Sequence, residues 1–407
     1  MKDQDRAPYR WVILGIAWLS FFAVAMSWYI MPTLEHQLLD LYNISPAQYS
    51  AALTAPFLVA GLLSIGGGML ADRLGIRVAG AIGVVVAGIG IFGRSYVEPD
   101  FAYLMGPMMV VGVGLGFVMP NLPKLVSVWF PPDETGLATG IYNTGLMGGI
   151  ATGLVIAPFL PDWSTANMVL GAAIILLGLV FFAVVRDAPL GKELPLASLV
   201  EGLGAAVRSK SVWATTLAVA VALAGMVSLQ AALPAGLNAE YGLPMSTAGQ
   251  IASLISYFGI LGALTLPALA DRLNLRRLFL VALPISFSVI MYLSWLSGEN
   301  TTVLWLGTAV AGYLAGGSLP LLMEVPAFLP RIEGDPVRWE HVGGAAGLIG
   351  SMLNIGGFAG FPFIVMPVII SSGYSAGLLL AAALFASQAL FVLGIELPRK
   401  ATVSAAQ

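Results

Sequence analysis

Two side chains of opposite charge stand inside apolar runs long enough to cross a membrane. Lys124 completes the ladder Gly112, Gly116, Pro120, Lys124, and Glu324 completes its copy Gly312, Gly316, Pro320, Glu324 at an offset of 200. An ionisable group within a bilayer costs roughly 2.5–3.5 kcal/mol, so each needs a role. Three roles are open. The pair can close the inner end of a cavity and separate when it opens. Lys124 can instead receive an anionic group while Glu324 takes a proton. Or the two are an interfacial contact: Lys124 lies 23 positions after Phe101 and Glu324 23 after Thr301, a depth at which lysine snorkels and glutamate reaches water.

Neutral polar groups nearer the middle of the runs are candidates for substrate or coupling contacts. They are Tyr29 beside Trp28, Asn143, Gln230, Tyr257, Tyr313 and Asn354. An amide or phenol in an apolar interior demands a partner, which a cavity or a helix–helix hydrogen bond would supply equally well. A cavity built from these residues would be mostly apolar and aromatic with few fixed charges. It suits a small organic monoanion or a weakly polar solute. Arg94 is expected to form a snorkelling salt bridge with Glu98 or Asp100. Glu35 and His36, just after the first run, are expected to meet water.

The remaining chemistry is excluded by what is missing. The chain has no cysteine and only two histidines, His36 and His341, so no metal site and no disulfide are expected. No catalytic cluster argues for an enzyme, and no G-x-x-x-x-G-K-S loop argues for direct use of ATP. No cofactor is expected.

The elements that must hold these residues are membrane helices. The 407-residue chain is 58% hydrophobic and 10% charged, against about 25% charged in soluble domains, and its mean hydropathy is +0.90. Twelve apolar runs approach or exceed the roughly 20 residues a span requires. The predicted fold is an all-α polytopic membrane protein with twelve transmembrane helices in two pseudo-symmetric six-helix bundles, 1–185 and 212–407. A cytoplasmic linker, 186–211, joins them. Within it Leu196, Leu199, Val200, Leu203 and Val207 recur at helical spacing, which predicts an amphipathic helix on the inner membrane surface acting as a tether.

Duplication is visible elsewhere too. Asp72-Arg73-Leu74 returns as Asp271-Arg272-Leu273, and glycines crowd the fifth and eleventh runs at matched places. Duplicated bundles of this kind place a solute site between repeats. All basic residues except Arg94 and Lys124 fall in the termini, the linker or the loops of one face. That face is expected to be cytoplasmic, with both termini inside and the first run retained as a span. A net charge of −3 gives no sign of a nucleic-acid partner.

Gly68-Met69-Leu70-Ala71-Asp72-Arg73-Leu74-Gly75-Ile76-Arg77 resembles the loop signature of the major facilitator superfamily, G-x-L-a-D-r-x-G-r-r, and residues 268–277 form a weaker copy. The resemblance implies a conformational gate at Asp72, Arg73, Asp271 and Arg272, with Asp72 bracing the start of the eleventh span near Gly343 and Gly344. Trp129-Phe130-Pro131-Pro132 followed by Gly136-Leu137-Ala138-Thr139-Gly140 is similar to nitrate/nitrite porters and cyanate permeases. Nitrate porters place arginines eight residues before each loop aspartate. Here those positions are Ser64 and Ala263, and neither can form a charge-assisted bond to nitrate. Met108 stands where the superfamily's fourth-span arginine would be, and Ala157-Pro158 is a reduced form of the antiporter pattern.

The resemblance implies a monomeric secondary transporter of a bacterial inner membrane, working by alternating access, with a small-molecule substrate and protons as coupling ion. Facilitated diffusion, export, and a transporter-like receptor are the alternatives.

Overall fold

A computed structural model describes residues 3–131, 134–187, 199–298 and 300–397. Its helices in chain order are α1 Asp3–Trp28, α2 Glu35–Tyr42, α3 Pro46–Leu74, α4 Ile76–Gly93, α5 Ala102–Val118, α6 Asn121–Trp129, α7 Thr135–Ile156 and α8 Trp163–Val184. They continue as α9 Leu199–Arg208, α10 Lys210–Tyr241, α11 Met245–Leu273, α12 Arg276–Leu296, α13 Thr301–Met323, α14 Val342–Ala359, α15 Met366–Ser372 and α16 Tyr374–Val392. Among the described residues, twelve helical segments are long and apolar enough to cross a membrane. The chain is an all-α integral membrane protein, as its composition predicts. The side chain of Asp72 lies outside the described residues, as do Lys192 and Leu196 of the linker, Glu299, and the terminal Lys2, Arg399 and Lys400.

The boundaries follow local chemistry. Ser45 and Gln48 form a reciprocal capping box at the start of α3, with Pro46 at its first position. Asp162 caps α8 through the Thr165 N–H at 3.0 Å, a bond that holds its exposed carboxyl below the usual range. Pro120 has no N–H to continue α5, and the chain restarts as α6. The Asn121 side chain then donates to the Phe117 carbonyl at 2.6 Å. A π-helical turn, Gly360–Val365, joins α14 to α15 around Pro362.

Two compact units emerge. One lies within residues 1–195 together with 230–257, the other within 196–229 together with 258–407. In the first, Gly145, Gly149 and Gly153 of α7 face the carbonyls of Trp18, Phe22 and Met26 on α1, each spaced by four. Any Cβ there would overlap backbone, so close approach requires glycine. The first ladder works the same way: Gly112 and Gly116 of α5 seat on Pro56, Val59 and Leu63 of α3.

The second unit repeats both seams. Gly316 of α13 meets the Gly259 carbonyl of α11, and Gly356 and Gly360 meet Ala220 and Ala224 of α10. Its apolar core includes Leu266, Leu280, Leu321 and Ile349. Helix α9 packs by Gly202 on Gly344 at the start of α14, and Ser209 just beyond it donates to the Asp335 carboxylate at 2.8 Å.

The signature loop has a physical explanation. Gly75 sits at φ +87°, where its missing side chain makes room for the Asp187 carboxylate. Asp187 accepts from the Arg77 N–H at 2.8 Å and so caps α4, while Arg77 Nε donates to the Phe182 carbonyl at 2.6 Å. In the copy Asn274 takes the left-handed position at φ 54°, a conformation asparagine tolerates better than most. Arg277 donates to the Leu393 carbonyl at 3.2 Å. That frees Arg276 for another task.

Candidate functional site

Arg276 joins the two carboxylates that sequence spacing kept apart. Its guanidinium lies 2.8 Å from Glu324 Oε2 and donates to Asp271 Oδ2 at 2.7 Å, and it stacks 4.4 Å from the Phe328 ring centroid. Glu324 is therefore paired within its own unit. Lys124, on α6, donates from Nζ to the Gly68 carbonyl at 3.0 Å, and its neighbour Asn121 reaches the Gly67 carbonyl at 3.2 Å. Both tie α6 to the C-terminal part of α3. Arg73 and Arg272 are exposed.

The neutral candidates divide by unit. In the first, Gln230 is buried and donates to Ser256 Oγ at 2.9 Å. Tyr257, 40% exposed, lies 3.1 Å from Thr152 Oγ1. Thr152 spends its own proton on the Gly148 carbonyl at 2.7 Å, so Tyr257 is the donor. Tyr29 is buried with its ring 5.3 Å from that of Trp28, whose indole donates to the Leu53 carbonyl. Asn143 is exposed.

In the second unit Tyr313 repeats the phenol–threonine arrangement. Its hydroxyl is 3.0 Å from Thr265 Oγ1, and Thr265 donates to the Leu261 carbonyl at 2.7 Å. Asn354 is buried; Nδ2 reaches the Gly350 carbonyl at 2.9 Å and Oδ1 has no partner. Each unit thus holds a phenol donor whose acceptor is already committed, together with a buried amide.

Two expectations are corrected. Arg94 does not pair with Glu98 or Asp100. It is 0% exposed, Nη2 donates to the Ser27 carbonyl at 2.5 Å, Nη1 lies 3.8 Å from Met108 Sδ, and the guanidinium sits 5.1 Å from the Trp163 ring centroid. Ser27 belongs to the last turn of α1, so the cation sits at that helix's negative end. Tyr42 locks the assembly by donating to the Arg94 carbonyl and accepting from the Trp163 indole. Glu35 does not meet water either. It is 2% exposed, at the first residue of α2, which continues from α1 through the helical turn Pro32–Leu34. His36 is exposed as expected.

Sequence reasoning missed Asn121, Thr152, Thr265 and Ser256. Asn121 had a signal, an amide directly after a helix-breaking proline. The threonines had none, since only the folded contacts show which hydroxyl meets a tyrosine.

These arrangements agree with what the chain is similar to. The cyanate transport protein of Escherichia coli is 27% identical over 281 residues, covering 67% of this chain and 70% of that one. A probable nitrate/nitrite transporter of Mycobacterium tuberculosis is 24% identical over 365 residues, covering 84% and 85%. Among solved structures, a bacterial homologue of the human lysosomal transporter Spinster, in an inward-facing and unoccupied conformation, superposes with a TM-score of 0.66 at 17% identity over 95% of each chain. That likeness shows the fold. The sequence profile of the Major Facilitator Superfamily matches residues 13–361. With that match, two glycine-seamed units and a doubled signature loop, the chain belongs to the Major Facilitator Superfamily of small-solute transporters.

Proposed function

We propose that the protein takes up a small organic anion together with protons, by alternating access in which two six-helix halves, 1–185 and 212–407, rock about a central site. The observation that carries this reading is the pairing of neutral donors with an absence of nitrate-type arginines. Gln230, Tyr257, Tyr313 and Asn354 offer amides and phenols, while Ser64 and Ala263 stand where nitrate porters carry cations. Neutral donors can share one delocalised charge but give little gain for a compact, strongly hydrated anion. The similarity to a cyanate transporter favours a carbon-containing monoanion. Lys124 supplies a single positive charge near the inner end of this path.

The test is uptake into proteoliposomes of labelled cyanate, nitrate, a panel of small carboxylates and a neutral solute, with and without an inward proton gradient. Gradient-driven accumulation of a monoanion other than nitrate is expected. Preference for nitrate, or equal uptake with and without the gradient, would overturn the reading.

A further inference from the structure

Glu35 is the most isolated charge-bearing group among the described residues. Its carboxyl is 2% exposed, Oε2 has no hydrogen-bond partner, and the side chain forms no ion pair with any described residue. An ionised carboxylate stranded this way gives up its hydration with nothing in return. The surroundings supply no cation. On its own helix, His36 and Asp40 are exposed. The outer part of α3 and all of α7 carry no charged residue. Asp162 before α8 is committed to the Thr165 N–H, and Arg94 at the end of α4 is committed to Ser27 and Met108.

Packed on the turn that precedes Glu35 is the tip formed by the end of α10 and the start of α11. Residues 230–257 belong to the same compact unit as Glu35, although the rest of both helices belongs to the other. Contact at the tip is intimate: a Cβ on Gly249 would meet Thr33 Cγ2 at 2.6 Å and overlap the Leu154 carbonyl. Thr33 stands two residues before Glu35, in the turn that leads into α2. The tip's one charged residue, Glu240, is exposed and brings no cation. A cavity of about 170 Å³ is lined by Leu34, Gln37, Asp162 and Trp163, and Glu35 is not part of its lining.

We infer that Glu35 is a proton-binding site whose occupancy governs seating of the α10–α11 tip. With the tip seated, the carboxyl carries a proton, because the closed packing offers a carboxylate no counter-charge and no hydration. With the tip lifted, water reaches the carboxyl and the O–H bond breaks, passing the proton to solvent. Seating therefore takes up one proton. Low pH favours the seated form, and the preference is lost as pH rises. This inference stands apart from the identity of the transported solute.

The sequence has no cysteine, so a single Thr33→Cys substitution reports on the tip without background. The experiment is labelling of Thr33→Cys protein in oriented proteoliposomes by a membrane-impermeant maleimide added to the outer face. Rates are taken across pH and corrected for the reagent's thiolate dependence with a single cysteine at the exposed position His36. The corrected rate is expected to rise with pH, by up to tenfold per unit, the limit for one linked proton. Adding Glu35→Gln should leave Thr33→Cys protected at every pH, and Glu35→Asp should restore the dependence. A pH dependence that survives Glu35→Gln would overturn the inference. So would Thr33→Cys labelling that is fast and flat with pH in both Glu35 and Glu35→Gln backgrounds. A solute accumulation assay on the same vesicles separates this result from failure of the uptake reading.

Discussion

Arg276 holds Glu324 at 2.8 Å and Asp271 through the same guanidinium, so the acid at the foot of α13 has its counter-ion on the neighbouring helix. Protonating Glu324 in this arrangement would forfeit that pair. Glu324→Gln is expected to keep gradient-driven accumulation. Arg276→Met strands two carboxylates and should do more damage, yet both acids are over two-fifths exposed, which limits the loss to about 1 kcal/mol. Paired accumulation and thermal-unfolding measurements decide this. Accumulation abolished in Glu324→Gln with solute exchange intact would move coupling to Glu324.

The glycine seams make a sharper forecast. Gly316→Ala pushes a methyl into the Gly259 carbonyl and should destabilise by about 1–3 kcal/mol. Gly347→Ala meets nothing within 4 Å and should be neutral, or stabilising by up to ~1 kcal/mol through helix propensity. Unfolding temperatures in detergent would separate the two. Equal effects would mean that the seam yields more easily than its backbone contacts imply.

Much of this architecture is legible in the sequence because its carriers are local. A glycine ladder at a spacing of four can only be a helix face, and its repetition announces two equivalent seams. Asp72-Arg73-Leu74-Gly75 reads as a turn because Gly75 needs a positive φ, and Asn274 keeps that turn in the copy. The burial of Glu35 and Arg94 is not legible for the opposite reason. Each follows an apolar run, where charge ordinarily meets water, and their burial arises from chain segments far away in sequence. Arg276 was visible in the signature copy, but its partner is 48 positions further on, and nothing in the spacing links them.

Arg94 is read as a brace rather than a solute ligand. Arg94→Met removes the donor to the Ser27 carbonyl and leaves that group buried, at a cost of about 1–3 kcal/mol. The unfolding temperature should fall while KM for the transported solute stays within about twofold, a change of under ~0.5 kcal/mol. A large rise in KM at unchanged stability would recast Arg94 as part of the solute path.

Tyr257 and Tyr313 allow the reverse test. Phenylalanine at either position loses one hydrogen bond, worth about 0.5–1.5 kcal/mol. If solute uses these phenols, KM should rise by roughly two- to tenfold with little change in unfolding temperature. Unchanged transport kinetics in both variants would confine the tyrosines to helix packing.

Gly249→Val is the steric counterpart of the Glu35 experiment. Its side chain collides with Thr33 and the Leu154 carbonyl, so the tip should fail to seat. Thr33→Cys in that background is expected to label rapidly at every pH, with transport lost. Continued protection of Thr33→Cys would show that the contact is not what covers this turn.

The π-helical turn at Gly360–Val365 changes how the eleventh span presents itself to its surroundings. Such a turn holds about one residue more than an α-helical turn, which offsets everything after it by roughly 100° around the axis. The stripe that carries Asn354 on α14 is therefore not continued by α15 at multiples of 3.6. Deleting one residue of the turn would bring the two stripes back into phase, rotating Ile369 and Ile370 as a body. The extra residue sets the azimuth of the span's C-terminal half independently of its N-terminal half.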